Sequence, residues 1–306
     1  MKQPETNKLA KIITMIRNSD TRWEGLVKLK DYDEKISIKD LIHYCNDSLW
    51  VIRWAIIEKV GDLRQQDCID IIFEKLSDKD AHVRKTVKKT IIKCTRTNIQ
   101  PLVKRICSIN RQIGKFCQQY VTNIIAKNCA VLEPYLYSEN WMISNKLLHL
   151  IFLQKKEEAT STLLKAIKIN NIQKNAIMML AVINHYQAVP FFMVLYSTKK
   201  TLRNHIIKAL LIMKTEQVIP KIIECLNIKI LEESVKEVLV SIGKPAVPYM
   251  IKEVHNKAHI NQLLECLKKC TLSVNMYELL ETTVKKDKAL EKSIVLSEFN
   301  YEKNTQ

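Results

Sequence analysis

Apolar residues recur along most of this chain at the spacing of one helix face. Leu231, Val235, Val238, Leu239 and Ile242 stand at i, i+4, i+7, i+8 and i+11, which predicts a helix with one buried side. Ahead of it, Pro220 opens a segment with Ile222, Ile223 and Leu226 on one side. Proline is tolerated in a first helical turn, where its missing N–H had no partner. The unit therefore reads as helix, short turn, helix. The plan repeats at Pro248, with Met250, Ile251 and Val254 followed by Ile260, Leu263, Leu264 and Leu267. It repeats at Pro190, with Phe192 and Val194 followed by Leu202, Ile206 and Leu210, and at Thr162, with Leu163 and Ile167 followed by Ile177, Leu180 and Ile183. Pro134 and Pro101 begin two more units, and two near Ile38 and Ile69 lack the proline.

Pro101, Pro134, Pro190, Pro220 and Pro248 return in phase, and Thr162 divides the one double interval, between Pro134 and Pro190. A period of about 30 residues over most of a chain signals stacked supersecondary units. The expected fold is all-α: a right-handed superhelical solenoid of stacked antiparallel helix pairs. Residues 1–33 read as an amino-terminal cap, 34–272 as about eight pairs, and 273–306 as a cap helix and charged tail. No Pro/Gly/Ser-rich linker interrupts the array, so 1–306 reads as a single solenoid.

The stretch Ile242-Gly243-Lys244-Pro245-Ala246-Val247-Pro248-Tyr249-Met250-Ile251 resembles the junction of short bacterial HEAT repeats, the phycobilisome-lyase-type HEAT-like repeats. Asp78-Lys79-Asp80-Ala81-His82-Val83-Arg84 resembles the aspartate and Val-Arg signature of their second helix, and Asp47 to Arg53 matches it one period earlier. The resemblance covers roughly 34–270 and implies an architecture rather than an activity. It also implies that Asp47, Arg53, Asp78 and Arg84 bridge neighbouring repeats as scaffold.

Only four glycines occur, and no two lie within thirty residues of each other. Dinucleotide folds and phosphate loops need clustered glycines so that backbone amides approach the ligand, so both enzyme types are excluded. No apolar run reaches the ~18 residues of a membrane span, and the amino end leads into an amphipathic segment instead of a signal core. Nine dispersed cysteines in a long chain point to a reducing cytoplasm over a disulfide framework. The net charge of +17 favours polyanions or acidic partners.

The charge is concentrated. Between Asp80 and Glu133 there is no acid but eleven cations: Arg84, Lys85, Lys88, Lys89, Lys93, Arg96, Lys104, Arg105, Arg111, Lys115 and Lys127. Val83, Val87 and Ile91 form the apolar stripe of this segment, while Arg84/Lys88 and Lys85/Lys89/Lys93 stack at i, i+4 away from it. Such pairs repel by a few tenths of a kcal/mol. A phosphate backbone would neutralise them; the plainer reading is a solvated face. Trp50 and Trp54, also at i, i+4, are candidates for stacking on bases or capping a peptide groove. Core packing is the expected role of Trp50, and Trp54 stays open between the two.

Asp47 to Ala55 also resembles a segment of the HEAT-like DNA glycosylases. That resemblance implies a tryptophan followed by aspartates, whereas the nearest stretch, Asn140-Trp141-Met142-Ile143-Ser144-Asn145, has Met142 and Asn145 in their place. HEAT-like di-iron hydroxylases use His-Glu pairs, and this chain has none. His255 and His259 are four apart, a zinc-compatible spacing on one helical face, but the glutamate of a zinc-protease motif is absent between them. Cys266 and Cys270 read as helix packing, and Cys94, Cys107, Cys117 and Cys129 lack any CxxC spacing.

The combined expectation is a non-catalytic scaffold or adaptor that binds another macromolecule through a curved surface. The first partner class is a protein with an acidic surface; the alternative is nucleic acid held by Arg84 to Lys127. An enzyme or chromophore-lyase-like subunit rests on the name of the repeat alone. No cofactor or metal is expected, and the oligomeric state is open.

Overall fold

The computed structural model describes residues 8–256, 259–286 and 294–300. The first residues of the expected cap and most of the charged tail lie outside the described residues. Every regular element described is helical; a lone bridge joins the Leu272 N–H to the Asn300 carbonyl (2.9 Å). The helices group into two compact units that divide between residues 129 and 130.

The first unit contains α1 (Lys8–Arg17), α2 (Arg22–Lys30), α3 (Ile38–Cys45), α4 (Trp50–Asp62), α5 (Ile69–Glu74), α6 (Ala81–Thr95), α7 (Gln100–Lys104) and α8 (Arg111–Lys127). Each odd-numbered helix packs on the next even-numbered one, and α4 and α6 run side by side in close contact. Two of the second helices, α6 and α8, begin where a short polar side chain caps them. The Asp80 carboxylate accepts from the His82 and Val83 N–H groups (2.8 and 3.2 Å), and the Asn110 side-chain oxygen accepts from those of Gln112 and Ile113 (3.0 and 3.4 Å). Val83, Val87 and Ile91 are fully buried, as are Cys117, Val121 and Ile125 on α8.

The second unit contains α9 (Trp141–Lys155), α10 (Thr160–Ala166), α11 (Gln173–Val182), α12 (Val189–Thr198), α13 (Arg203–Ile212), α14 (Thr215–Glu224), α15 (Glu232–Ile242), α16 (Val247–His255), α17 (Ile260–Lys269) and α18 (Val274–Lys285). Tight 3-10 turns lead into α12 and α16, at Tyr186–Ala188 and Lys244–Ala246. Each ends on a buried alanine, and Pro190 and Pro248 then occupy the first helical turn. Val235, Val238 and Leu239 are buried on α15, as are Leu263 and Leu267 on α17.

Three sequence expectations change. Pro220 does not open its helix: α14 starts at Thr215 and carries the proline inside. The turn that is 3-10 before Pro190 and Pro248 is here wound as α, so one backbone bond is forfeited to proline. Pro134 does not open an α-helix either: it lies inside a 3-10 run, Cys129–Tyr137. Lys229–Leu231 is likewise a 3-10 turn, and the helix proper begins at Glu232.

Leu239 is fully enclosed, so Leu239→Ala should cost about 2 to 5 kcal/mol. A denaturant melt reads this directly; an unchanged midpoint would show that the face is not buried.

Candidate binding surface

The arrangement of the first unit rests on one repeated device. Arg53 Nη1 donates to the carbonyls of Asp47 and Ser48 in its own entry loop (2.8 and 3.1 Å). Its Nε and Nη2 grip the Asp78 carboxylate of the next repeat (2.9 and 2.8 Å). The two side chains are only 4% and 5% exposed. Asp78 Oδ1 also accepts from the Asp80 N–H (2.9 Å). Burial alone would raise the Asp78 carboxyl, but the Arg53 and Asp80 hydrogen bonds hold it below the ordinary carboxylate range. The hydrogen bonds to Asp78 push the Arg53 guanidinium up in turn. Arg17 pairs with Asp47 one repeat earlier.

On this frame, residues spaced by one repeat form rows of equivalent positions on the second helices. Trp23, Trp54, Lys85 and Lys115 stand one repeat apart on α2, α4, α6 and α8. Trp23 is 78% exposed. With Trp54, Leu26, Val27, Glu58 and Asp62 it lines a groove of about 390 Å³ between α2 and α4. Trp54 is half-buried there. Trp50 is 41% exposed and stacks on His82, with ring centroids 5.4 Å apart. Its expected place in the core is therefore corrected: it sits at the first residue of α4, beyond the packed stripe.

The basic residues divide. Lys85, Lys88 and Lys89 on α6 and Arg111, Lys115 and Lys127 on α8 are exposed, with no ion pair among the described residues. Lys93 bonds Asp62 on α4 (2.6 Å). Arg105 pairs with Asp70 and lies over the Phe73 ring at 4.6 Å. Lys104 and Arg105 belong to α7 and its end, a first helix, and Arg96 ends α6, so the tract is not one surface. Arg84 is half-buried; its Nη1 donates to the carbonyls of Asp78 and Lys79 (2.7 and 2.9 Å). Sequence reading missed Trp23; its step of one period from Trp54 was the available signal.

His255 ends α16, while His259 precedes α17 with φ at 50°, in the left-handed region, so the two do not share a helical face. Lys257 and Ala258 lie outside the described residues. Among the described residues no three His, Cys, Asp or Glu side chains gather as a metal site would require. Cys266 and Cys270 are buried, and burial pushes the Cys266 thiol up to about 12. Burial pushes Cys45 and Cys117 up to about 12 as well. Thiols so placed are packing groups, not nucleophiles.

No family model matches the chain, and no curated protein does. Among solved structures, human deoxyhypusine hydroxylase in complex with glycerol is similar at 12% identity, over 76% of this chain and 96% of its own, with a TM-score of 0.28. An engineered protein is similar at 12% identity, over 95% of this chain and 98% of its own, with a TM-score of 0.30. Likenesses this loose bear on neither fold nor activity.

Asp78→Asn leaves a buried guanidinium without its counter-charge and should cost about 3 to 5 kcal/mol at neutral pH. Asp78 is depressed in the fold, so its contribution is full above the unfolded value of about 3.9 and disappears as pH falls through the lower folded value. Melts of wild type and variant should therefore converge as pH falls below ~4; a constant difference down to pH ~2 would contradict the pairing.

Proposed function

We propose that the chain is a non-catalytic helical-repeat scaffold whose second-helix face in the first unit holds an acidic segment of a protein partner. The observation that carries this is the change of character along one row: Trp23 and Trp54, then Lys85 and Lys115. An apolar side chain fits the groove at the tryptophan end. Carboxylates fit the lysine end, where Lys85, Lys89 and Lys115 are exposed and make no ion pair among the described residues. Nucleic acid fits less well, because a continuous phosphodiester backbone would run its charge past Glu58 in the groove, whereas a peptide can set an uncharged side chain there and keep its carboxylates for the lysines. The free cysteines, most of them buried, support a reducing compartment for the chain. Among the described residues, no helix is long and apolar enough to cross a membrane.

The test is fluorescence anisotropy with a short labelled peptide that alternates Glu and Phe. The peptide should bind, its Gln counterpart should not, and added salt should weaken the complex. Exchanging Lys85, Lys89 and Lys115 for Glu should weaken binding at least about tenfold, or ~1.4 kcal/mol, with the helical spectrum intact. If the Glu peptide fails to bind, or single-stranded DNA binds in its place with a log–log salt slope near −0.7 per phosphate contact, the protein reading falls.

A further inference from the structure

We propose that Arg84 is an open rung: its guanidinium takes a carboxylate from the bound partner, in the way that Arg53 takes Asp78 within the chain. This rests on the reading of the second-helix face as a site for an acidic segment.

Arg53 and Arg84 stand one repeat apart and are held identically on one side, each by Nη1 bonds to two carbonyls of its own entry loop. Arg53 uses its remaining edge, Nε and Nη2, for Asp78. Arg84 has no carboxylate on that edge among the described residues. The reason lies in the next repeat. Its cap, Asn110, takes the place of Asp80, and the same step carries Asp78 onto Ser108. A serine hydroxyl is neutral and offers one oxygen where the fork needs two. A guanidinium fork matches a carboxylate in shape and charge, and Arg53–Asp78 is the worked instance inside this molecule.

The seam beside Arg84 is also open. On α4 the side turned to α6 is Arg53, Ile57 and Gly61, all buried. Gly61 permits the close approach: a Cβ there would lie 2.8 Å from Thr90 Oγ1. One repeat on, the same positions are Arg84, Lys88 and Ile92. Lys88 is exposed and Ile92 is 37% exposed. The α6 residues turned to α4, Thr86 and Thr90, become Phe116 and Tyr120 on α8. These rings are half-buried and stack on each other at 6.4 Å. A lysine for an isoleucine, an isoleucine for a glycine and rings for threonines replace the surfaces that let α6 close on α4. Helix α8 makes no backbone contact with α6 comparable to that pairing. The seam thus offers two cations, Arg84 and Lys88, beside apolar surface, and suits an acidic side chain next to an aromatic or aliphatic one.

The test restores the missing rung. Ser108→Asp should pair with Arg84, raise the Tm, and weaken binding of the labelled Glu/Phe peptide at least tenfold by occupying its site. Ser108→Asn, of similar size and uncharged, should leave Tm and binding near wild type. Arg84→Lys keeps the charge and loses the fork, and should weaken binding as Ser108→Asp does; circular dichroism checks that each variant is folded. Wild-type binding by Ser108→Asp or by Arg84→Lys, while the Lys85/Lys89/Lys115 charge reversal abolishes it, would overturn the open rung and leave the basic face standing. No binding by wild type, or no loss on charge reversal, would remove both.

Discussion

The buried ion pair between Arg53 and Asp78 is the constraint on which the first unit depends. A guanidinium and a carboxylate withdrawn from water are costly unless each is fully hydrogen-bonded. Here the requirement is met only if the entry loop of one repeat, the second helix of that repeat and the entry loop of the next hold a single relative position. The pair therefore ties the two entry loops to α4 in one relative position. With α4 and α6 fixed in this way, Gly61 receives Thr90 and the Thr90 hydroxyl bonds the Ile57 carbonyl (2.9 Å). Apolar contacts then close around the pair.

A fixed register turns sequence spacing into surface. Residues one repeat apart take equivalent positions, which is why two tryptophans and two lysines fall at the same place on four successive second helices although they are scattered in sequence. The same rule explains where the basic tract is neutralised. Lys93 meets Asp62, one repeat upstream, and Arg105 meets Asp70 on the preceding first helix. Lys85 and Lys115 have no acid one repeat upstream, since Trp54 and Lys85 itself hold those places. Glu58, one repeat before Lys89, lines the groove with Trp23 and Trp54 instead of pairing with it.

Much of the fold was legible in the sequence because it is built from amphipathic stripes and a period. Val83/Val87/Ile91 and Val235/Val238/Leu239 lie where their spacing places them, in the core. The Asp and Arg of the repeat signature were legible as a bridge, and Arg53–Asp78 is one, whereas Arg84 bonds the carbonyls of its own entry loop and, among the described residues, does not bridge to the next repeat. Other features were not. An acid-free stretch of sequence is not an acid-free surface, since neighbours in a repeat come from another part of the chain. Proline marks a place where a backbone donor is missing, not where a helix starts, so Pro220 misplaced the beginning of α14. The histidine pair failed because a left-handed residue at His259 breaks the helical face that the spacing assumed. Trp23 was hidden in the cap, where only its step of one period from Trp54 singles it out.

The central claim is that Arg53 and Arg84 are the same device, one satisfied within the chain and one left for a partner. NMR of the arginine Nε–H groups tests this most directly. The Arg53 Nε–H should be protected from solvent exchange in the free chain and unaffected by an acidic peptide. The Arg84 Nε–H should exchange fast in the free chain, then shift and become protected as the peptide saturates. Protection of Arg84 before any peptide is added, or no change in it at saturation, would contradict the account.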